Sequence, residues 1–248
     1  MAALPATRRV GTKPFNVEGC SELSGEWEPL LPGRRYSAFQ AGVQLANRMG
    51  PLNEIEYSEF VVKAQSFADA VGGTPALQEM LEEVARAREL DQFASAHDAQ
   101  LSLTLVARQA AWSPGYIHQH AARLGFVAGV IPGRMVLASA VQGMPPLLSL
   151  TFDAQAAMAD DPALSAVREC VLSLDVPQVP RSEQPFARLQ QAAQALAQQM
   201  DGLITDGANQ VLAPEVMQQI GLDLEQLYDA LDQRELSAGS LQARRLFS

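Results

Sequence analysis

An internal repeat constrains the fold of this 248-residue chain more than any other feature of its sequence. At a shift of 129 residues, residues 36–73 match residues 165–202 without a gap. The clearest match aligns Ala64-Gln65-Ser66-Phe67-Ala68-Asp69 with Ala193-Gln194-Ala195-Leu196-Ala197-Gln198. Self-similarity at a fixed shift indicates two copies of one supersecondary unit.

Each copy predicts a short strand, a proline-containing loop and a helix. Alternating apolar residues predict the strands at residues 39–45 and 170–176. Asn53 and Ser182 occupy the expected helix N-cap positions, and Glu56 completes a capping box with Asn53. Two glycines are expected to cap the ends of these helices in the left-handed conformation, Gly73 and Gly202.

The rest of the chain supplies further strands and helices. Leucines alternating with polar residues predict a half-buried strand at 101–106, and Ser113-Pro114 predicts the start of a helix. Further strands are predicted at 126–131, 134–140, 147–152, 203–205 and 210–212, and a helix from Pro214. This order predicts an α+β fold of the split β-α-β kind. Its mostly antiparallel sheet would have helices packed on one face, with a partial second copy of the unit upstream.

The distribution of glycine, proline and polar residues divides the sequence into four predicted segments. Dense glycine and proline predict a linker-like arm at 1–35, with one or two short strands as the alternative, around Phe15–Glu18 and Trp27. Residues 36–98 would form the partial first β-α repeat plus a helix, 99–235 the main domain, and 236–248 a polar C-terminal tail.

Composition excludes several functional classes. Eighteen basic against 28 acidic residues give a net charge of −10, which disfavours binding to nucleic acid. The outward strand positions also lack the aromatic residues on which RNA-binding sheets stack bases. No apolar run reaches the length of a membrane span, and the two cysteines suit neither a disulfide scaffold nor a zinc site. We therefore expect a soluble, intracellular protein.

The residues that could carry catalysis form no convincing group. His118 and His120 are two positions apart on a predicted helix, so their rings point in different directions and cannot share a metal ion. Cys170 lies among apolar strand residues and is predicted to be a core residue. The acidic pairs Glu82-Glu83 and Asp160-Asp161 lack apolar neighbours that would raise a pKa. The sequence therefore predicts no enzyme, no metal and no cofactor.

Several short motifs, in matching order, carry a family resemblance over residues 99–232. They are Arg123-Leu124-Gly125-Phe126, Leu147-Leu148-Ser149-Leu150, Val171-Leu172-Ser173-Leu174-Asp175-Val176-Pro177 and Leu212-Ala213-Pro214. In these motifs the chain resembles the C-terminal, FtsZ-binding domain of the bacterial cell-division protein family ZipA. The upstream segment 41–48 resembles an extension found in divergent members.

The resemblance implies a six-stranded sheet packed on three helices, with no catalysis. It implies that the exposed sheet face binds the C-terminal tail of FtsZ and so supports assembly of the division septum at the cytoplasmic side of the inner membrane. Family members carry an N-terminal membrane helix and a long linker that this sequence lacks, so we expect a membrane-anchored full-length form.

The predicted peptide-binding residues are small. Outward-facing positions of the sheet, together with one residue of the predicted strand 126–131, give the set Thr104, Val106, Ile131, Thr151, Val171 and Ser173. Where the family's groove has Met and Phe, this chain has Asp153 and Ser173, so FtsZ would bind in a changed mode or the ligand would differ. The alternative is a structural or interaction domain in which the two copies cover each other's sheet faces and the partner is a different protein.

Overall fold

The computed structural model describes residues 8–159, 165–207 and 210–248. The chain divides into two compact units. The N-terminal unit comprises Met1–Ala96 with Arg245–Ser248, and the C-terminal unit comprises His97–Arg244. None of the described helices is long and apolar enough to cross a membrane.

A four-stranded antiparallel sheet forms the centre of the N-terminal unit, and β2 pairs with each of the other three strands. A two-stranded ribbon and two helices follow it in sequence. The elements are β1 (Arg9–Val10), β2 (Lys13–Ser21), β3 (Trp27–Pro29), β4 (Tyr36–Val43), β5 (Ala46–Asn47), β6 (Gly50–Pro51), α1 (Glu54–Val71) and α2 (Met80–His97). The core of this unit contains Phe15, Tyr57, Phe60 and Val84.

The linker-like arm predicted for residues 1–35 differs from the structure over its described part. Residues from Arg9 onwards contribute three strands, and the Phe15 side chain is buried with its ring 5.7 Å from that of Phe60. Gly11, Gly25 and Gly33 adopt positive φ in the loops between these strands, so the glycines mark tight turns of a sheet.

The predicted tail 236–248 also contains regular structure. It forms helix α7 (Leu241–Leu246), in which Ala243 and Leu246 are buried. Phe247, just after the helix, is buried as well. Apolar residues near the end of the chain therefore belong to the packed structure.

The C-terminal unit contains a six-stranded antiparallel sheet in the order β12-β7-β11-β10-β9-β8. Its strands are β7 (Gln100–Ala107), β8 (Phe126–Ala128), β9 (Arg134–Leu137), β10 (Leu148–Thr151), β11 (Glu169–Asp175) and β12 (Gly202–Thr205). Its helices are α3 (Pro114–Arg123), α4 (Ala154–Met158), α5 (Pro185–Met200) and α6 (Pro214–Gln233). Helices together with antiparallel sheets confirm the predicted α+β class.

The helices α3, α5 and α6 share one core with one face of this sheet. The core joins inward strand residues such as Leu105 and Leu172 to Ile117 of α3, Leu196 of α5 and Leu224 of α6. Because side chains alternate between the two faces of a strand, the neighbouring residues of β7 and β11 point away from the helices.

Both copies of the repeat form a strand followed by a helix, β4 with α1 and β11 with α5. The capping box of Asn53 and Glu56 is confirmed. Both predicted C-caps are wrong by one residue. The left-handed residue that ends α1 is Gly72, at φ 72°, and not Gly73. The one that ends α5 is Asp201, at φ 51°, and not Gly202. Ser182 is not an N-cap, because it lies in a 3-10 turn (Arg181–Glu183) and α5 begins only after Gln184.

The segment 210–212 pairs with β12 as predicted, though it is not a continuous strand. Val211 bridges Thr205, the Asp206 N–H donates to Gln210 O at 2.9 Å, and the Leu212 N–H donates to Ile204 O at 3.4 Å. Ala208 and Asn209 of the predicted turn lie outside the described residues.

Candidate peptide-binding face

The face of the C-terminal sheet opposite the helices, the open face, is built of rows of small side chains. The strand register places Ser102, Ser173 and Ser149 side by side across β7, β11 and β10. We call this set the serine row. Two residues along each strand, Thr104, Val171 and Thr151 form the next set, the threonine row. Because paired residues in an antiparallel sheet point to the same face, each row presents three adjacent side chains.

The two faces of the sheet differ sharply in burial. Leu105, Leu150 and Leu172 on the helical face have no exposed surface. On the open face Ser102 is exposed, and the other members of the two rows are partly exposed. Burial of these serines and threonines would favour two copies that cover each other's faces. Their exposure speaks against that alternative.

Two hydroxyls on this face, of Thr151 and of the buried Thr205, have backbone partners. Thr151 Oγ1 donates to Val171 O at 3.5 Å, and Thr205 Oγ1 donates to Thr104 O at 3.3 Å. These contacts hold the side chains close to the sheet. They leave a shallow surface that an incoming chain could approach closely.

Five of the six residues predicted to bind a peptide lie on the open face. They are Thr104, Val106, Thr151, Val171 and Ser173, with Val106 two residues beyond Thr104 on β7. Ile131 does not lie on the sheet: it sits in the loop between β8 and β9, with 56% of its surface exposed. Asp153 is the N-cap of α4, where its carboxylate accepts hydrogen bonds from the backbone of Gln155 and Ala156.

The structure adds residues that the sequence reasoning missed. The serine row continues through Val136 of β9 to Val127 of β8, and 57% of Val127 is exposed. The threonine row continues to Arg134 of β9, which is exposed. Alternation of Met135 and Leu137 with their neighbours could have assigned Val136 and Arg134 to this face, since the period of two was already evident in β7.

The histidines and the cysteine that were considered for catalysis make contacts typical of structural residues. Both histidines lie on α3: His120 is buried and its Nδ1 lies 3.1 Å from Gln199 Oε1, whereas His118 packs edge-on against Phe152. Cys170 is fully buried, and burial raises the pKa of its thiol to about 12, as expected of a core residue.

Two acidic pairs, Glu82-Glu83 and Asp160-Asp161, were also considered for catalysis. Glu83 forms an ion pair with Arg86 at 2.7 Å on α2, while Asp160 and Asp161 lie outside the described residues. Over residues 8–159, 165–207 and 210–248, no three His, Cys, Asp or Glu side chains lie together in a way that could hold a metal ion.

Comparison with known families supports the resemblance seen in the sequence. A family model described as "ZipA, C-terminal FtsZ-binding domain" matches residues 155–222, which include β11, α5 and β12. The match confirms the predicted resemblance over these residues. By its description, the family model represents a domain that binds FtsZ. No curated protein matches the chain.

Proposed function

From the match of residues 155–222 to the ZipA FtsZ-binding domain, we propose that this chain is a non-enzymatic adaptor of cell division. Its C-terminal unit binds the C-terminal tail peptide of FtsZ on the open face. One observation carries the proposal: β11 lies within the matched segment and supplies Val171 and Ser173 to the middle of the exposed rows. By this contact the adaptor supports Z-ring assembly at the cytoplasmic side of the inner membrane.

The size of the open face suits a short peptide. The serine row spans five adjacent strands, from Ser102 on β7 to Val127 on β8. Neighbouring strands lie about 4.8 Å apart, so the row is roughly 19 Å long. A helix is about 10 Å wide with its side chains, so a peptide of two or three helical turns fits across or along this surface.

The chemistry of the face determines how the peptide binds. Val106, Val127, Val136 and Val171 supply apolar surface. Ser and Thr fill the other positions of the two rows on β7, β11 and β10, and Arg134 places a positive charge beside Thr151. Most of these side chains are small, so the peptide must supply the bulky side chains of the interface. A fully buried apolar anchor contributes about 1.5–3 kcal/mol, so two absent anchors weaken binding by two or more decades in comparison with an apolar groove.

The direct test is a titration of the full chain against a fluorescently labelled FtsZ tail peptide, followed by anisotropy. We expect saturable binding that Ser173→Arg weakens at least tenfold, because the long charged side chain would occupy the centre of the open face. The matched control is Gln191→Arg, which adds the same side chain at an exposed position of α5 on the helical side. The control should bind as the wild type does.

Two results would contradict the proposal. One is the absence of saturable binding by the wild-type chain at peptide concentrations up to about 1 mM, the weak end of specific recognition. The other is equal weakening by both arginine substitutions, which would place the binding site elsewhere or indicate a general charge effect.

A further inference from the structure

The strand β4 of the N-terminal unit has one edge without a strand partner in the described chain. Along its other edge it pairs with β2 from Val43 opposite Phe15 to Tyr36 opposite Ser21. No other described strand pairs with β4. A row of backbone donors and acceptors eight residues long is therefore available on this edge.

The hydrogen-bond pattern shows which residues point to the free edge. The Gln44 N–H donates to Pro14 O at 3.1 Å, so residues 14 and 44 form a hydrogen-bonded pair. Such pairs alternate along an antiparallel ladder, which directs the backbone groups of Ala38, Gln40 and Gly42 towards β2. The backbone N–H and C=O groups of the alternate residues in this regular stretch then face outwards, at Phe39, Ala41 and Val43.

Natural sheets protect such edges with charges, proline, bulges or short strands. The sequence of β4 contains no charged residue and no proline. The ladder with β2 has one irregularity: Cys20 pairs with Ala38 and Ser21 with Tyr36, so Ser37 is an extra residue near the start of β4, and the stretch from Ala38 to Val43 is regular. The strands on the opposite side of β2 are protected: β1 has two residues, and β3 has three residues that include Glu28 and Pro29. The long, neutral and exposed edge of β4 is the exception in this sheet.

We propose that the edge of β4 binds a second copy of this chain, by antiparallel pairing of β4 with β4 around a two-fold axis at Gln40. The two four-stranded sheets would join into one sheet of eight strands. This register pairs Phe39 of each copy with Ala41 of the other, two hydrogen-bonded pairs that form about four backbone hydrogen bonds.

Side-chain sizes favour a second copy as the occupant, and the neutral strand permits it. The register sets Phe39, which is 39% exposed, beside Ala41 of the second copy, so a large side chain meets a small one at both of these pairs. Gln40 Nε2 donates to Glu18 Oε2 of its own chain at 2.7 Å, and the other N–H and the oxygen of this amide can bond Gln40 of the second copy across the axis. Each chain carries a net charge of −10, so the uncharged β4 is a place where two copies can approach without like charges in direct contact.

A single strand pair is small for an interface, so the dimer is a weak one with a dissociation constant on the order of 10–100 µM. Sedimentation equilibrium of the full chain between about 1 and 500 µM should show a monomer–dimer equilibrium of this strength. Raising ionic strength from about 0.02 to 0.15 M should strengthen the dimer, because salt screens the repulsion between two acidic copies.

The decisive variant is Ala41→Pro. Proline removes an N–H that faces the free edge and leaves the ladder with β2 intact, so it should weaken the dimer at least tenfold. Ala41→Ser keeps the N–H and is the matched control. Circular dichroism establishes that both variants fold. Should Ala41→Pro not fold, Ala38→Glu replaces it: the position is exposed, and each copy then adds a carboxylate to the neutral strand that the other copy approaches.

Hydrogen exchange gives an independent measurement. The Phe39 and Ala41 amides should become more protected as protein concentration rises, whereas the Gln40 and Gly42 amides, bonded to β2, should not change. A wild-type chain that stays monomeric at about 500 µM would overturn the proposal. So would a dimer that Ala41→Pro leaves unchanged, or protection of these amides that appears only when FtsZ tail peptide is added.

Discussion

The two repeated helices begin with different caps although their sequences align without a gap. Asn53 Oδ1 accepts the N–H groups of Ile55 and Glu56, each at 3.0 Å, and Glu56 Oε2 accepts the Asn53 N–H at 3.2 Å. At the equivalent place in the second copy, Ser182 makes no cap, and the helix starts three residues later at Pro185.

Removing the two side chains should therefore have unequal effects. Asn53→Ala leaves helical N–H groups without their acceptor and should lower the free energy of unfolding by about 1 kcal/mol. Ser182→Ala changes an exposed side chain and should alter it by less than about 0.5 kcal/mol. Urea denaturation followed by circular dichroism measures both. An equal loss in the two variants would mean that Ser182 caps α5 in solution.

Caps that depend only on local sequence could be predicted, and those that depend on distant contacts could not. The capping box of α1 needs only residues 53–56. At the end of α5, by contrast, the left-handed residue is Asp201, whose carbonyl accepts the Arg108 N–H at 3.1 Å. Gly202 serves a different purpose: a Cβ there would lie 3.2 Å from the Trp112 ring, so the glycine permits close packing of β12.

Among the elements, the turn between β8 and β9 explains why Ile131 is absent from the open face. The strand ends at Ala128, and the chain turns through Pro132-Gly133 before β9 begins at Arg134. Gly133 has φ 73°, and its carbonyl accepts the Phe152 N–H at 2.8 Å. The Pro-Gly pair is a turn signal visible in the sequence, and it outweighs the apolar run that predicted a strand to residue 131.

The same turn allows a test of how the hairpin is fixed to the end of β10. A Cβ on Gly133 would lie 2.4 Å from Phe152 O, whereas a Cβ on Gly143, which has a similar φ of 80°, would meet open space. Gly143→Ala should cost about 1 kcal/mol of stability through its backbone conformation alone. Gly133→Ala adds the clash and should cost roughly 2–4 kcal/mol.

Thermal and urea unfolding of the two alanine variants measure the difference. Equal losses would show that the contact between Gly133 and Phe152 does not fix the hairpin. A larger loss for Gly133→Ala that is accompanied by weaker peptide binding would show that this turn also positions β9 on the open face.

At the scale of the whole molecule, alternation in the sequence predicted the C-terminal sheet better than the N-terminal one. Runs such as 101–106 fix which side chains share a face, because the period of a strand is two. The N-terminal sheet was hidden because its strands are separated by short turns, so glycine and proline are as dense there as in a linker. Spacing along the chain does not show which strands pair, so neither the central position of β2 nor the free edge of β4 could be read from it.

If the proposed functions of the two units both hold, a dimer carries two open faces, and its binding to FtsZ filaments should exceed that of one face. Linking two binding modules commonly raises apparent affinity by about 10²–10⁴ when both can engage. Ala41→Pro should therefore leave the affinity for the isolated tail peptide unchanged but weaken co-sedimentation with FtsZ filaments at least tenfold. Ala41→Ser should match the wild type in both measurements.

Two outcomes would contradict this expectation. A parallel loss of peptide affinity in Ala41→Pro would show that β4 affects the peptide site itself. Unchanged co-sedimentation would show that the two faces of a dimer do not engage one filament together.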